Sequence, residues 1–197
     1  MTKEDYQKID ELNKILEKDP TNIKALIRKG YIFYDGTENH EAEKAFEQAI
    51  KIDPKCTDAY FWLAKCLWNY CEYEKAIVVA KKGLEIDSNR ADLHEMIVWA
   101  LGSLKQYNDE FLYHVKKVIE LEPTWITPKA DLIRGLIARK EFDLAKKEID
   151  ETFRHIKLIP VPSDVMEKHY EGLVTGRSRD NWKEKLENYL KIIENKK

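Results

Sequence analysis

One short pattern recurs along this chain at a nearly constant interval. An acidic residue followed by proline or serine stands at Asp19-Pro20, Asp53-Pro54, Asp87-Ser88 and Glu122-Pro123, at steps of 34, 34 and 35 residues. An aromatic residue keeps the same beat at Tyr73, Tyr107 and Phe142. A small one does so at Ala42, Ala76 and Ala145. A fixed period of this length means a stack of like supersecondary units, none of which buries its apolar face alone. It settles the fold class and leaves the partner unnamed.

The period of the apolar residues says what each unit is. In the first unit Leu26, Gly30 and Phe33 share one helical face, and Ala42, Phe46 and Ala49 share another. Spacings of three and four are those of an amphipathic helix. Gly30 and Ala42 are small where two helix backbones should approach closely, and Phe46 fills the space beside them. Pro54 stops the second helix, because proline cannot continue it. The second unit repeats the scheme with Tyr60, Leu63, Ala64, Leu67, Tyr73, Ala76, Ala80 and Gly83. The third holds Ile97, Leu101, Tyr107, Val115 and Val118; its second helix is expected to be one residue longer than the others. The fourth has Leu132, Ile133, Leu136, Phe142, Ala145 and Ile149. Val98 and Ile133 stand where the earlier units have a small residue, which predicts looser helix packing there.

These residues place the chain close to a known family. Tyr60-x2-Leu63-Ala64-x2-Leu67 and Ala42-x3-Phe46 with Pro54 resemble the tetratricopeptide repeat, with its W-x2-L-G-x2-Y first helix, A-x3-F second helix and closing proline. The resemblance covers residues 23–159 as units 23–56, 57–90, 91–125 and 126–159. Residues 1–22 read as a capping helix with Ile9, Leu12, Ile15 and Leu16 on one side. Residues 160–197 read as a worn fifth unit. It would begin after Ile159-Pro160-Val161-Pro162, with Tyr170, Leu173 and Val174 in its first helix and Leu186, Leu190 and Ile193 in its second. Terminal units are expected to be atypical, since one face meets water. The expected fold is all-α: a right-handed superhelix of antiparallel helix pairs, an α-solenoid of eleven helices.

The resemblance implies a concave surface lined by first helices that holds an extended peptide or a partner's helix. Carried over position by position, the groove would be Lys24, Ile27, Arg28, Tyr31 and Tyr34; then Phe61, Trp62, Lys65, Trp68 and Asn69; then Met96 and Trp99; then Arg134 and Ile137. Six of these are aromatic where the repeat core does not ask for it, and aromatics with arginine are the usual anchors of interfaces. The alternative is that some of them seal neighbouring helices together. The family's carboxylate clamp falls on Ile27, Tyr31, Trp62, Asp92 and Met96. None carries the clamp's side chain, so binding of heat-shock chaperone tails by that mode is not expected.

Other chemistry is sparse. Charged residues make up 36% of the chain yet the net charge is −2, which argues against a nucleic-acid binder or a polybasic membrane anchor. The paired lysines Lys81-Lys82, Lys116-Lys117 and Lys146-Lys147 sit among glutamates and read as a solubilising surface. No signal peptide or spanning segment is visible, so a cytoplasmic setting with free thiols at Cys56, Cys66 and Cys71 is expected. Cys66 and Cys71, five apart, do not match a metal-site spacing. No nucleophile–base set appears, so neither an enzyme nor a cofactor is expected. Thr175-Gly176-Arg177-Ser178-Arg179 lacks the glycine pattern of a phosphate loop. The expectation is a protein-interaction scaffold or co-chaperone-like adaptor. A self-assembling scaffold, including a homodimer, and a dedicated chaperone for a secreted bacterial effector are the alternatives.

Overall fold

The computed structural model describes residues 1–158 and 176–196. Ten α-helices, and no strand, are present among the described residues. They divide into two compact units, Met1–Leu104 and Lys105–Lys197. The proposed first helix of a fifth unit, with Tyr170, Leu173 and Val174, lies outside the described residues.

The first unit holds α1 (Lys3–Lys18), α2 (Ile23–Asp35), α3 (Asn39–Ile52), α4 (Thr57–Asn69), α5 (Tyr73–Ile86) and α6 (Ala91–Ser103). Each packs on the next, and the first helices also touch one another, α2 on α4 and α4 on α6. Thr2 opens α1 through a capping box with Asp5. Ile9 and Leu12 of α1 then pack with Ala25 and Ile32 of α2.

The acidic residue of the recurring pattern has a physical task. Asp19, Asp53 and Asp87 close α1, α3 and α5. Their Oδ1 atoms accept hydrogen bonds from the backbone N–H two residues on, at Thr21 (3.1 Å), Lys55 (2.9 Å) and Asn89 (3.0 Å). Such an Asx turn satisfies a donor while the chain reverses. The tighter turns inside each hairpin carry a second recurring device: Thr37 (φ 64°), Cys71 (61°), Lys105 (56°) and Lys140 (63°) all adopt left-handed backbone. None is glycine, the residue that suits this conformation best.

Gly30 is set directly against Phe46. A Cβ built at Gly30 would lie 2.6 Å from Phe46 Cε1, and Phe46 is fully buried.

The second unit holds α7 (Asp109–Leu121), α8 (Thr127–Ala138), α9 (Phe142–Leu158) and α10 (Gly176–Glu194). α8 is flanked by α7, α9 and α10. Leu186 and Ile193 of α10 are fully buried. Two expectations are corrected here. α7 is no longer than the corresponding helices α3 and α5; the extra residues lie in the turn that precedes it, 104–108, where the other hairpins have three-residue turns. The Asn108 side chain accepts from Phe111 N–H and so fixes the late start of α7. Close packing on α8 is also retained, because Gly135, not position 133, meets the Phe111 ring; a Cβ there would lie 2.6 Å from its Cε1.

Candidate partner-binding site

Spacings of three and four put Ile27, Tyr31 and Tyr34 of α2 beside Phe61, Trp62, Lys65 and Trp68 of α4. Trp62 is the hub. Its ring centroid lies 5.0 Å from Tyr31 and 5.1 Å from Phe61, both edge-on, and 5.4 Å from Tyr34. Edge-on and tilted pairs at these separations suit the ring quadrupoles. Lys65 Nζ sits 5.1 Å from the Trp62 centroid, 5.4 Å from Tyr34 and 5.6 Å from Phe61. Burial raises the Tyr34 hydroxyl pKa, and a hydrogen bond with Asn69 works the other way. Tyr34, Phe61, Trp62 and Lys65 are half-buried, whereas Tyr31 keeps 45% of its surface in solvent.

Beside this cluster lies a recess of about 480 Å³ between α2 and α4. Ile23, Ile27, Tyr31, Cys56 and Trp62 form its apolar lining, with Lys24, Arg28 and Asp58 as its charges. The charges are unequal in effect. Asp58 is held by Arg90 (NH1–Oδ1 2.8 Å), which also donates to Thr57 and grips Asp92. The two carboxylates, Asp92 first and then Asp58, raise the Arg90 pKa above its ordinary value. Lys24 and Arg28 are exposed and form no ion pair among the described residues. The recess therefore has a positive rim.

A second ring cluster lies at the other end of α4. Trp68 is 5.8 Å from Trp99 and 6.5 Å from Tyr73. Its Nε1 donates to Ser103 Oγ at 3.3 Å, and Ser103 donates to the Trp99 carbonyl. Asn69 is exposed there.

Two expected groove residues are not at the surface. Met96 keeps only 1% of its surface exposed, and Ile137 is likewise buried. α6 is apolar on nearly every side, and α8 is packed by three helices, so neither position stays open. Arg134, in the second unit, pairs with Asp131 (2.9 Å) and lies over the Tyr107 ring at 5.8 Å. Burial raises the Asp131 pKa, with Arg134 pulling the other way. Cys56, Asp58 and Arg90 were missed. Asp58 stands one repeat after Lys24 and one helical turn before Trp62, so the period alone points to it.

Comparison with known proteins agrees with this architecture. Residues 37–98 match the tetratricopeptide repeat family model. The fold superposes on the crystal structure of MamA with a TM-score of 0.71 at 19% identity, over 76% of this chain and 86% of that one. It also resembles YrrB, described as a TPR protein with an unusual peptide-binding site, with a TM-score of 0.67 at 16% identity over 92% and 88% of the two chains. In sequence, 45 residues are 40% identical to the DnaJ homolog subfamily C member 7 homolog of Schizosaccharomyces pombe. That match spans 23% of this chain and 10% of the yeast protein.

Residues 37–98 carry the tetratricopeptide repeat, and the described residues form an all-α solenoid fold of that type. Such a fold is a scaffold for protein–protein interaction. No helix among the described residues is long and apolar enough to cross a membrane.

Proposed function

We propose that this chain is an adaptor that takes a segment of a partner protein across α2 and α4, seating an apolar side chain in the recess beside Tyr31 and Trp62. The partner segment carries carboxylates next to its apolar anchor. The observation behind this reading is the pairing of an apolar recess with cations that have no acid of their own, Lys24 and Arg28, while the one acid at the rim is held by Arg90. Preformed rings keep the ordering cost low, so burial of the anchor supplies affinity and the cations supply selectivity. Likeness to a DnaJ homolog supports a co-chaperone-like form of the role, and a net charge of −2 disfavours nucleic acid as the partner.

A fluorescence-anisotropy screen of peptides with leucine or phenylalanine anchors tests this. Acidic flanks are expected to bind and basic flanks not. Tyr31→Ala is expected to weaken binding by about 30-fold, as for loss of an aromatic worth about 2 kcal/mol. Arg28→Glu, which sets an acid beside Lys24, is expected to remove the charge preference. If peptides of both charges bind alike, or neither substitution changes affinity, the proposed site is wrong.

A further inference from the structure

The first unit carries a second recess, away from Trp62. α3 and α5 both pack on α4 but leave a cleft between them of about 420 Å³. Leu63 and Leu67 of α4 form its floor, and Val78 and Val79 of α5 form one wall. Val78 keeps 54% of its surface exposed, so the apolar wall is open to solvent. Around this apolar strip stand Glu43 and Glu47 on α3, one turn apart, and Glu74 on α5.

Lys75, the one cation among the lining residues, does not balance all three. Its Nζ is 2.7 Å from Glu72, its main partner, and it feels Glu43 more weakly. Glu43 has a weak contact with His40 at 3.8 Å; Glu47 and Glu74 form no ion pair among the described residues. The negative field reaches inward. Burial first, and Glu43 second, push the Cys66 thiol up to about 12, and the same two causes raise the Tyr70 hydroxyl.

We propose that the cleft between α3 and α5 is a second docking site, and that its occupant is an amphipathic helix of a partner protein whose apolar stripe is flanked by lysines or arginines. The apolar strip is open, and the rim charge is of one sign. Such a helix sets aliphatic side chains spaced by three and four residues against Val78 and Val79, with its cations opposite Glu43, Glu47 and Glu74. The charge it asks for is opposite to that of the α2–α4 recess. The two sites thus select different segments, and this inference does not rest on the function proposed above.

The test uses the whole chain and three synthetic helical peptides of about 16 residues, long enough for two anchor turns. One has a leucine stripe flanked by lysines. The second has glutamates in place of the lysines, and the third has serines in place of the leucines. The first is expected to bind saturably, and the other two at least about tenfold more weakly. Raising NaCl from about 50 to 300 mM is expected to weaken binding, as screening requires. Val78→Asp and the double substitution Glu47→Lys/Glu74→Lys are each expected to abolish binding. Both change exposed positions, and melting curves check that the fold is kept. Tyr31→Ala is expected to leave it unchanged. The proposal is overturned if the glutamate or serine peptide binds as well, or if Val78→Asp has no effect. It is equally overturned if amide shifts map to Tyr31 and Trp62, or if light scattering shows that the cleft is filled by a second copy of this chain.

Discussion

Trp62 lies nearly parallel to Phe46, its ring planes 16° apart and centroids 6.2 Å apart. Phe46 is the buried side chain that fills the first hairpin, so Trp62 is anchored to the core on one side and faces Tyr31 on the other. It serves stability and surface together. Trp62→Ala is expected to cost about 2 kcal/mol, less than a fully buried ring because Trp62 is half-exposed. Trp62→Phe should keep most of it. Urea unfolding checks both. A partner lost only in Trp62→Ala therefore does not identify the site, whereas one lost in Tyr31→Ala or Arg28→Glu does.

Gly30→Ala sets two effects against each other. Alanine favours the helix by about 1 kcal/mol over glycine. Its methyl would also press on the enclosed Phe46 ring at 2.6 Å, and overpacking costs about 1–3 kcal/mol. A net loss of about 1 kcal/mol is expected from the shift in urea midpoint. Gly30→Ala/Phe46→Leu should lose less than the two single losses added, because the clash is shared. Strict additivity would mean that the contact is not what limits position 30.

The period was legible because each recurrence has a local cause. Aspartate closes a helix and folds onto the N–H two residues on, at Asp19, Asp53 and Asp87. Gly30 and Phe46 could be paired on spacing alone for the same reason. The site was legible only in part. Phase gives the face of the helix on which a residue lies, and it correctly groups Tyr31, Tyr34, Phe61, Trp62 and Lys65. Whether that face stays open depends on what packs over it. Met96 stands one repeat after Trp62 and shares its phase, yet it is buried. The warning was in the neighbours: Met96-Ile97-Val98-Trp99-Ala100-Leu101 is apolar all round, the mark of an enclosed helix. The charge of the recess was hidden for another reason. It turns on Arg90 reaching back 32 residues to Asp58, a pairing that no local pattern shows.

Lys140 adopts φ 63° in the turn between α8 and α9, and its backbone N–H bonds Ile137 O. A side chain in this conformation costs about 1–2 kcal/mol, part of which glycine gives back in the unfolded chain. Lys140→Gly is expected to stabilise the second unit by about 0.5–1 kcal/mol, read from thermal melting. Lys140→Val should destabilise it, because a β-branched residue fits this backbone worst.

Asp131 gives the second unit a pH dependence of known sign. Burial holds its carboxyl pKa above the ordinary value despite the pair with Arg134. The folded state therefore keeps this proton to higher pH than the unfolded state does. Its contribution is fully present below the unfolded pKa and is lost as pH rises through the raised folded pKa. The stability of the native chain minus that of Asp131→Asn is thus expected to fall as pH rises above the ordinary carboxylate range in denaturation curves. A flat or rising difference would show that Arg134 outweighs burial.

The three cysteines offer a direct check on the packing of α4. Cys71 is exposed, Cys56 is partly covered, and Cys66 is buried with its thiol pushed up to about 12, by burial first and by Glu43 second. At pH 8 about one Cys66 in ten thousand would be thiolate, and the thiolate is the reacting species. Titration of native protein with a disulfide reagent should show one fast thiol, Cys71, and a slower one, Cys56. The third should react only once denaturant opens the chain. Cys71→Ser removes the fast phase and leaves the denaturant-dependent one. Glu43→Gln should speed Cys66 only slightly, because burial is the larger cause. If all three thiols react at one rate in native protein, α4 is not packed between α3 and α5 as described, and neither the Trp62 cluster nor the Val78 cleft would stand.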